Sequence, residues 1–510
     1  MILSIIYLLL ILTALVVVHE LGHYLFARIF KVRVKEFSIG FGPKIYEKKG
    51  KKTNFFFKAF LIGGYVKLAG EDLDQNDDEN DDTEEKIPHE ELLTSKPSWQ
   101  QFLISFAGPF FSVLAGFVVF AFCSAIWGFP EINVDSIVTD SPAYYAGLES
   151  GDQIFSVDGN YIIQNQTLTD KISEGKEVEL GIVRNGDEFN VNVIPELQPQ
   201  ELQVVLKNYE GNIGESVETI NGVEFNGNYF SYGEMFQQND FIQFGFENGD
   251  KIKGNVLSYL PTEERYTIGF YYKYFDPLIT KNIGVFEKND ILQSINDFKT
   301  DNSLALSRMA ELLSLSEDDI SITFTDNKIT WYGYGFPDTL QVKILRNGDI
   351  LEKEVSKADL INVINEPGVF SQQSEYWKPD NVFLAFGLGV QWAGDMLRQM
   401  VDVIVKLFTG QVSANSFTGP IGMVKLVDAA SGMGIKMILL LAGFISLNLG
   451  VVNLIPLPAL DGGRMLINLI EMIIRRKINP NIVGYIHAIG FFILLGFMIW
   501  VTVIDIGRFL

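Results

Sequence analysis

The sequence predicts a polytopic α-helical membrane protein of about four transmembrane helices, interrupted by a large soluble α+β insert. Two observations carry that class. The chain is 47% hydrophobic, and the apolar residues gather at its two ends rather than along its whole length. Between them, residues 130–380 show short period-2 alternations punctuated by Asn-Gly turns, the pattern of strands and hairpins.

The first span is expected from residue 1 through Ala27, because residues 1–18 are almost wholly apolar and Tyr24-Leu25-Phe26-Ala27 continue the run. A cleaved signal peptide would need a basic n-region and a small-residue cleavage site, and this run has neither. Residues 102–127, 435–459 and 482–507 give three more spans, each long enough for about 30 Å of hydrocarbon. Lys and Arg are dense from Arg28 to Lys67 and again at Arg464, Arg475, Arg476 and Lys477. Those loops are therefore expected in the cytoplasm, with both termini and the insert on the opposite side. The acidic run from Glu71 to Glu91 reads as a solvated, disordered loop. Residues 383–409 place Leu384, Leu388, Trp392, Met396, Met400, Val403 and Leu407 at helical spacing among charges. We expect an amphipathic helix on the outer membrane surface there, the alternative being a helix packed on the insert.

Charge and cysteine content narrow the function. A net charge of −23 argues against a general nucleic-acid binder, which needs a basic face for phosphates. Cys123 is the single cysteine, so neither an internal disulfide nor a Cys-based metal cage is possible.

The insert repeats itself. Gly151-Asp152, Gly214-Glu215 and Asn289-Asp290 each open a short alternating stretch ending in a turn. Each is followed by a hairpin signal, Arg184-Asn185-Gly186-Asp187, Glu247-Asn248-Gly249-Asp250 and Arg346-Asn347-Gly348-Asp349. Asp152 to Gly186 spans 34 positions (186 − 152), as does Glu215 to Gly249 (249 − 215), whereas Asp290 to Gly348 spans 58 (348 − 290). The third copy thus carries about 24 extra residues (58 − 34), expected around 310–336. Ser141-Pro142-Ala143-Tyr144-Tyr145-Ala146-Gly147-Leu148 closely resembles the start of a PDZ-domain core. Three PDZ-like modules follow, at 131–197, 198–262 and 263–357; two such domains around a β-rich spacer are the competing division.

The chemistry lies in His19-Glu20-Leu21-Gly22-His23. Two histidines four apart share one helix face and can hold one metal, with Glu20 beside them to take a proton from water. Three ionisable groups interrupting a spanning helix are costly without a function. Two imidazoles leave Zn2+ short of a protein ligand, and Asp461 is the candidate, in Asn453-Leu454-Ile455-Pro456-Leu457-Pro458-Ala459-Leu460-Asp461-Gly462-Gly463. It falls at the cytoplasmic end of the third span, the depth inferred for His19 and His23. The prolines and paired glycines there would unwind a helix, which membranes tolerate in protein-buried places. His89 and His487 are not expected to be ligands.

These motifs resemble the site-2 protease family of intramembrane metalloproteases, in its bacterial RseP-like branch with PDZ domains. Besides the two metal motifs, Gly40-Phe41-Gly42-Pro43, Gly63-Gly64-Tyr65-Val66-Lys67, Phe106-Ala107-Gly108-Pro109 and Gly419-Pro420-Ile421-Gly422 match. The resemblance implies an N-terminal membrane half at 1–127 with a membrane-associated β-hairpin loop, and a C-terminal half at 415–510. It implies that Asn453 holds the substrate or the developing oxyanion, and that Gly63, Gly64, Tyr65, Val66 and Lys67 offer a strand edge to an unwound substrate. It implies substrates that are single-span membrane proteins, such as anti-sigma factors or signal-peptide remnants, already trimmed outside, with the PDZ-like modules excluding bulky ectodomains. The location implied is the bacterial cytoplasmic (inner) membrane, with the active site near its cytoplasmic side. The family usually places Asn where this chain has Ser112. A catalytically inactive PDZ scaffold or membrane chaperone is the alternative, against which the intact His19, Glu20, His23 and Asp461 set speaks.

Overall fold

The computed structural model describes residues 2–71, 87–199, 201–228, 236, 240–262, 264–272, 278–296, 298–300, 303–325, 328–365, 369, 376–409 and 419–509. Most of the expected acidic loop therefore lies outside the described residues. The chain divides into two units, Met1–Gly128 with Lys378–Leu510, and Phe129–Trp377.

The membrane unit begins with α1 (Ile2–Ile29), followed by two long antiparallel strands, β1 (Val34–Lys49) and β2 (Asn54–Leu68). Both strands reverse partway, so Phe37 pairs with Phe55 and Val66, and Ile39 with Phe57 and Gly64. Gly40 and Gly42, with φ of 84° and 85°, supply the reversal that a Cβ would resist. Residues 64–68 pair with β1 alone, leaving their other edge without a strand among the described residues. α2 (Ser98–Trp127) follows Pro97 and keeps Pro109 inside it.

The second unit starts at β3 (Phe129–Pro130) and builds its first sheet from β4 (Ile132–Ile137), β5 (Gln153–Val157), β6 (Asn160–Tyr161), β7 (Val178–Arg184) and β8 (Asp187–Val193). Short α3 (Pro142–Tyr145) and α4 (Asn165–Ser173) lie between these strands, and β9 (Glu196–Gln198) leaves them. Next come β10 (Glu201–Gly211), β11 (Val217–Ile220), β12 (Val223–Glu224), β13 (Phe241–Phe246) and β14 (Lys251–Thr262). The chain then returns, pairing β15 (Arg265–Thr267) with β9 and β16 (Phe270–Tyr272) with β4. The remainder is β17 (Ile291–Ile295), β18 (Phe298–Lys299), α5 (Ser303–Ser314), β19 (Ile320–Thr325), β20 (Lys328–Tyr334), β21 (Thr339–Arg346), β22 (Asp349–Ser356) and α6 (Lys357–Asn365). β23 (Tyr376–Trp377) closes the unit against β3.

Among the described residues three larger sheets, each with its own apolar core, result, but they interleave along the chain. The second sheet has the order β12-β11-β13-β14-β10-β19-β20. The extra residues expected to decorate the third repeat are thus largely β19 and β20, and they complete the second sheet. Ile320, Ile322 and Phe324 alternate inward with Leu202, Val204 and Leu206 of β10, which fixes that register. Likewise β16 belongs to the first sheet, beyond the 131–197 boundary read from the repeats.

The first and third modules share a buried clamp. Asp152 is fully buried and accepts hydrogen bonds from Arg184 Nε at 2.6 Å, Arg184 Nη2 at 2.8 Å and the Glu149 amide at 2.8 Å. Asp290 does the same with Arg346 Nε and Nη2, both at 2.7 Å, and the Glu287 amide at 2.8 Å. The hairpins that carry these arginines turn through Asn185-Gly186 and Asn347-Gly348, all four at positive φ. The second repeat has Glu215 and Glu247 at the matching positions. Two acids cannot clamp, and this module is instead extended by three additional strands, β10, β19 and β20.

The membrane unit resumes at α7 (Val382–Phe408), capped by Asn381 Oδ1, which accepts from the Phe383 and Leu384 amides. This helix packs along α2, which covers part of the apolar stripe its periodicity showed. A Cβ on Gly389 would fall 2.7 Å from Ala121 Cα, Trp392 meets Phe120 edge-on, and Leu397, Val401, Ile404 and Val405 share a groove with Phe106, Phe110 and Val113. An apolar stripe needs a partner, and here the second span supplies it. α8 (Pro420–Gly432), α9 (Ile435–Leu454), α10 (Asp461–Ile474) and α11 (Pro480–Phe509) complete the chain. The third span ends at Leu454 rather than 459, because Pro456 forces Ile455 to an extended conformation. Among the described residues four helices, α1, α2, α9 and α11, are long and apolar enough to cross a membrane.

Candidate metal centre

His19 and His23 lie one turn apart on α1, so both imidazoles leave the same face, with ring centroids 4.9 Å apart. That face is pressed on α2. A Cβ on Gly22 would sit 2.3 Å from Ala107 O, so glycine allows the two backbones to meet. A Cβ on Gly108 would sit 2.2 Å from His23 Nε2 and 2.7 Å from His19 Nε2, so this glycine is the floor on which both rings rest.

α2 also sets the ring orientations. His23 Nδ1 donates to Ile104 O at 2.7 Å, and His19 Nδ1 lies 3.0 Å from Ser112 Oγ. Ser112 is fully buried, and its own carbonyl accepts from Ser446 Oγ at 2.7 Å. The serine at the position where the resemblance leads one to expect Asn thus holds the ring nitrogen remote from the centre, the usual place for a partner that orients a metal ligand.

Asp461 arrives from the turn after α9. Gly462 and Gly463 allow that turn to close, since a Cβ on either would fall within 2.3 Å of a carbonyl oxygen, of Ile455 or of Leu457. Asp461 Oδ2 lies 3.0 Å from His19 Nε2 and 3.5 Å from His23 Nε2, and the two Nε2 atoms are 3.2 Å apart. Among the described residues these three form the one cluster of His, Cys, Asp and Glu with metal-ligand spacing.

The donor set fits a zinc ion. Ile104 O can only accept, so the neutral His23 ring carries its proton on Nδ1 and turns the Nε2 lone pair inward. A lone pair aimed at a second imidazole nitrogen and a carboxylate is repulsive until a cation sits between them. Two nitrogens and one carboxylate oxygen leave a fourth tetrahedral position open, as catalytic zinc requires.

Glu20 is half-buried beside the cluster, with the Val66 main chain near its carboxylate. The 63–67 edge is therefore next to Glu20, and Thr13 Oγ1 ties the same strand to α1 by donating to Leu61 O at 2.6 Å. Gly63 and Gly64 are buried, and Tyr65, Val66 and Lys67 half-buried. Asn453 is half-buried in the last turn of α9. His89 lies in a short 3-10 turn, and His487 Nδ1 accepts from the Ala459 amide at 2.9 Å; neither joins the cluster. Sequence reading missed Gly108, Ile104 and the task of Ser112. The Ala-Gly-Pro motif was the available signal, but what presses on its glycine is a long-range contact.

The profile of Peptidase family M50 matches residues 7–497. The chain belongs to peptidase family M50. Members similar to it over nearly their whole length include a Thermotoga maritima protein named "Putative zinc metalloprotease", 36% identical across 99% of both chains. "Zinc metalloprotease RasP" of Oceanobacillus iheyensis is 24% identical, covering 97% of this chain and 96% of its own. "Regulator of sigma E protease" of Haemophilus influenzae is also 24% identical, with the same coverage. The site-2-type metalloprotease expected from the motifs is borne out at the level of the family. This M50 member is a metallopeptidase, and Zn2+ is the cofactor expected for it.

Proposed function

We propose that this M50 peptidase cuts single-span membrane proteins within or at the edge of the bilayer, with zinc held by His19, His23 and Asp461. The observation that carries the reading is the convergence of those three ligand atoms on the face of α1, a helix of membrane-spanning length. When bound, zinc supplies Lewis-acid activation of water and of the scissile carbonyl. Glu20 takes the proton of the attacking water and returns it to the leaving amine nitrogen. Asn453 holds the substrate or the developing oxyanion. A substrate helix must first unwind, exposing backbone groups that each cost several kcal/mol unpaired in lipid. The strand edge at Gly63, Gly64, Tyr65, Val66 and Lys67 offsets part of that cost by pairing with the unwound segment.

The relative named for regulating sigma E supports membrane-bound anti-sigma factors as one substrate class, with signal-peptide remnants as another. Substrates are cut outside the membrane first, and the insert, read as PDZ-like modules, excludes untrimmed ectodomains. The protein sits in the bacterial inner membrane, with the insert extracytoplasmic and the active site near the cytoplasmic side.

The test is zinc analysis of the purified protein together with cleavage of a single-span substrate by wild type and Glu20→Gln. One zinc per chain in both, with cleavage in wild type alone, is expected. Zinc bound with no Glu20-dependent cleavage would replace the protease with a scaffold. Reporter fusions near residues 80 and 240 should report opposite sides of the membrane, and the same side for both would defeat the topology.

A further inference from the structure

We infer that His487 and Gly490, on the last span, brace the turn that aims Asp461, making His487 a positioning residue of the metal centre rather than a ligand. This rests on the reading of Asp461 as a zinc ligand. Asp461 is reached through the Pro456–Leu460 turn, and Ala459 within it has φ of 74°. Side chains with a Cβ avoid that region, and such a conformation persists only where surroundings impose it. The turn's own hydrogen bonds, Leu457 amide to Ile455 O at 2.7 Å and Leu460 amide to Leu457 O at 3.2 Å, leave the Ala459 amide to be satisfied from elsewhere.

α11 satisfies it. The Ala459 amide donates to His487 Nδ1 at 2.9 Å, which requires a lone pair on Nδ1 and puts the neutral ring's proton on Nε2. That Nε2 is buried and has no hydrogen-bond partner among the described residues, so the ring's hydrogen bonding is committed to this turn. Gly490 lies on the same helix face, and a Cβ there would fall 2.4 Å from Pro458 Cβ and 2.5 Å from Pro458 O. Backbone thus touches backbone beside the hydrogen bond. The rest of α11 is mostly exposed: among its described side chains only Gly490, Val501 and Asp505 are buried, the latter two against Gly419. The helix therefore holds the rest of the unit at two places, and one of them is the turn that carries Asp461.

The full-length protein would be purified as wild type, His487→Leu, His487→Asn, Gly490→Ala and Asp461→Asn. Zinc affinity would be read by chelator competition, and ligand geometry by the visible spectrum of the cobalt-substituted form. His487→Leu should bind zinc about 10- to 100-fold more weakly, the range for loss of a partner that orients a metal ligand, with an altered cobalt spectrum. His487→Asn places a carbonyl oxygen where Nδ1 stood and should recover most of the affinity. Gly490→Ala, which leaves the histidine in place, should weaken zinc as well. Wild-type affinity and spectrum in both His487→Leu and Gly490→Ala would overturn the brace, and so would an equal loss in His487→Leu and His487→Asn. If wild type takes up no zinc, or Asp461→Asn matches it, the ligand reading fails instead.

Discussion

Asp461 and the pair Asp152 and Asp290 are carboxylates shielded from water in the two units, and their surroundings differ in kind. Each insert carboxylate receives two guanidinium hydrogen bonds and one amide, so charge and hydrogen bonding are balanced within the protein. Asp461 instead faces two imidazole nitrogens, and at His23 the Ile104 carbonyl turns the Nε2 lone pair toward it. The clamps are complete without a ligand, and the metal centre is not. A buried polar cluster that closes on itself holds a fold together, whereas one that leaves acceptors facing each other marks a place for a cation.

That contrast can be broken from either side. Removing a ligand should have the largest effect: His23→Ala should lose stoichiometric zinc and all measurable cleavage, while hydrogen exchange in the insert stays as in wild type. Loss of insert protection in this variant would show that the two clusters are not independent. Next in size, Arg346→Met leaves Asp290 buried without its partner and should destabilise the third module, read as a lowered unfolding midpoint, with zinc content unchanged. Faster exchange confined to Ile291–Ile295 and Thr339–Ser356 is the expected readout.

The same pair sets a pH dependence. Burial pushes the Asp290 carboxyl up, but the Arg346 guanidinium outweighs it and holds the folded value below the ordinary one. The folded state therefore binds a proton less readily than the unfolded state. The clamp contributes fully above about pH 4, and its contribution drains as pH falls through the folded value. Exchange protection of the third module should fall below about pH 4 in wild type. In Arg346→Met the slope should reverse, because protonation then relieves a buried charge. The smallest effect expected is that of Ser112→Ala, which removes an orienting contact on His19 and should weaken zinc about tenfold, with the insert unaffected.

Much of the membrane unit was legible because its signals are local. Apolar runs gave the four long helices, and the four-residue spacing placed His19 and His23 on one face. Asp461 was found by matching membrane depth, which an unbroken helix makes a matter of counting residues. The long-range features were less legible. The hairpin signature of β19 and β20 was visible, but not that they pair with β10, because strand pairing depends on partners distant in sequence. The stripe on α7 was legible as amphipathic, but not that α2 covers part of it, since a periodicity says that a face is covered without saying by what. Ser112 stood out only as a departure from the family pattern. Its use became clear when His19 Nδ1 was found 3.0 Å away.

The 442 positions separating His19 from Asp461 also bear on how the enzyme is made. At roughly 5–20 residues per second, a growing chain exposes its histidines about 20–90 s before the carboxylate exists. During that interval the insert and α9 are synthesised. On the proposed ligand set, the newborn protein has no complete centre until the last part of the chain is made.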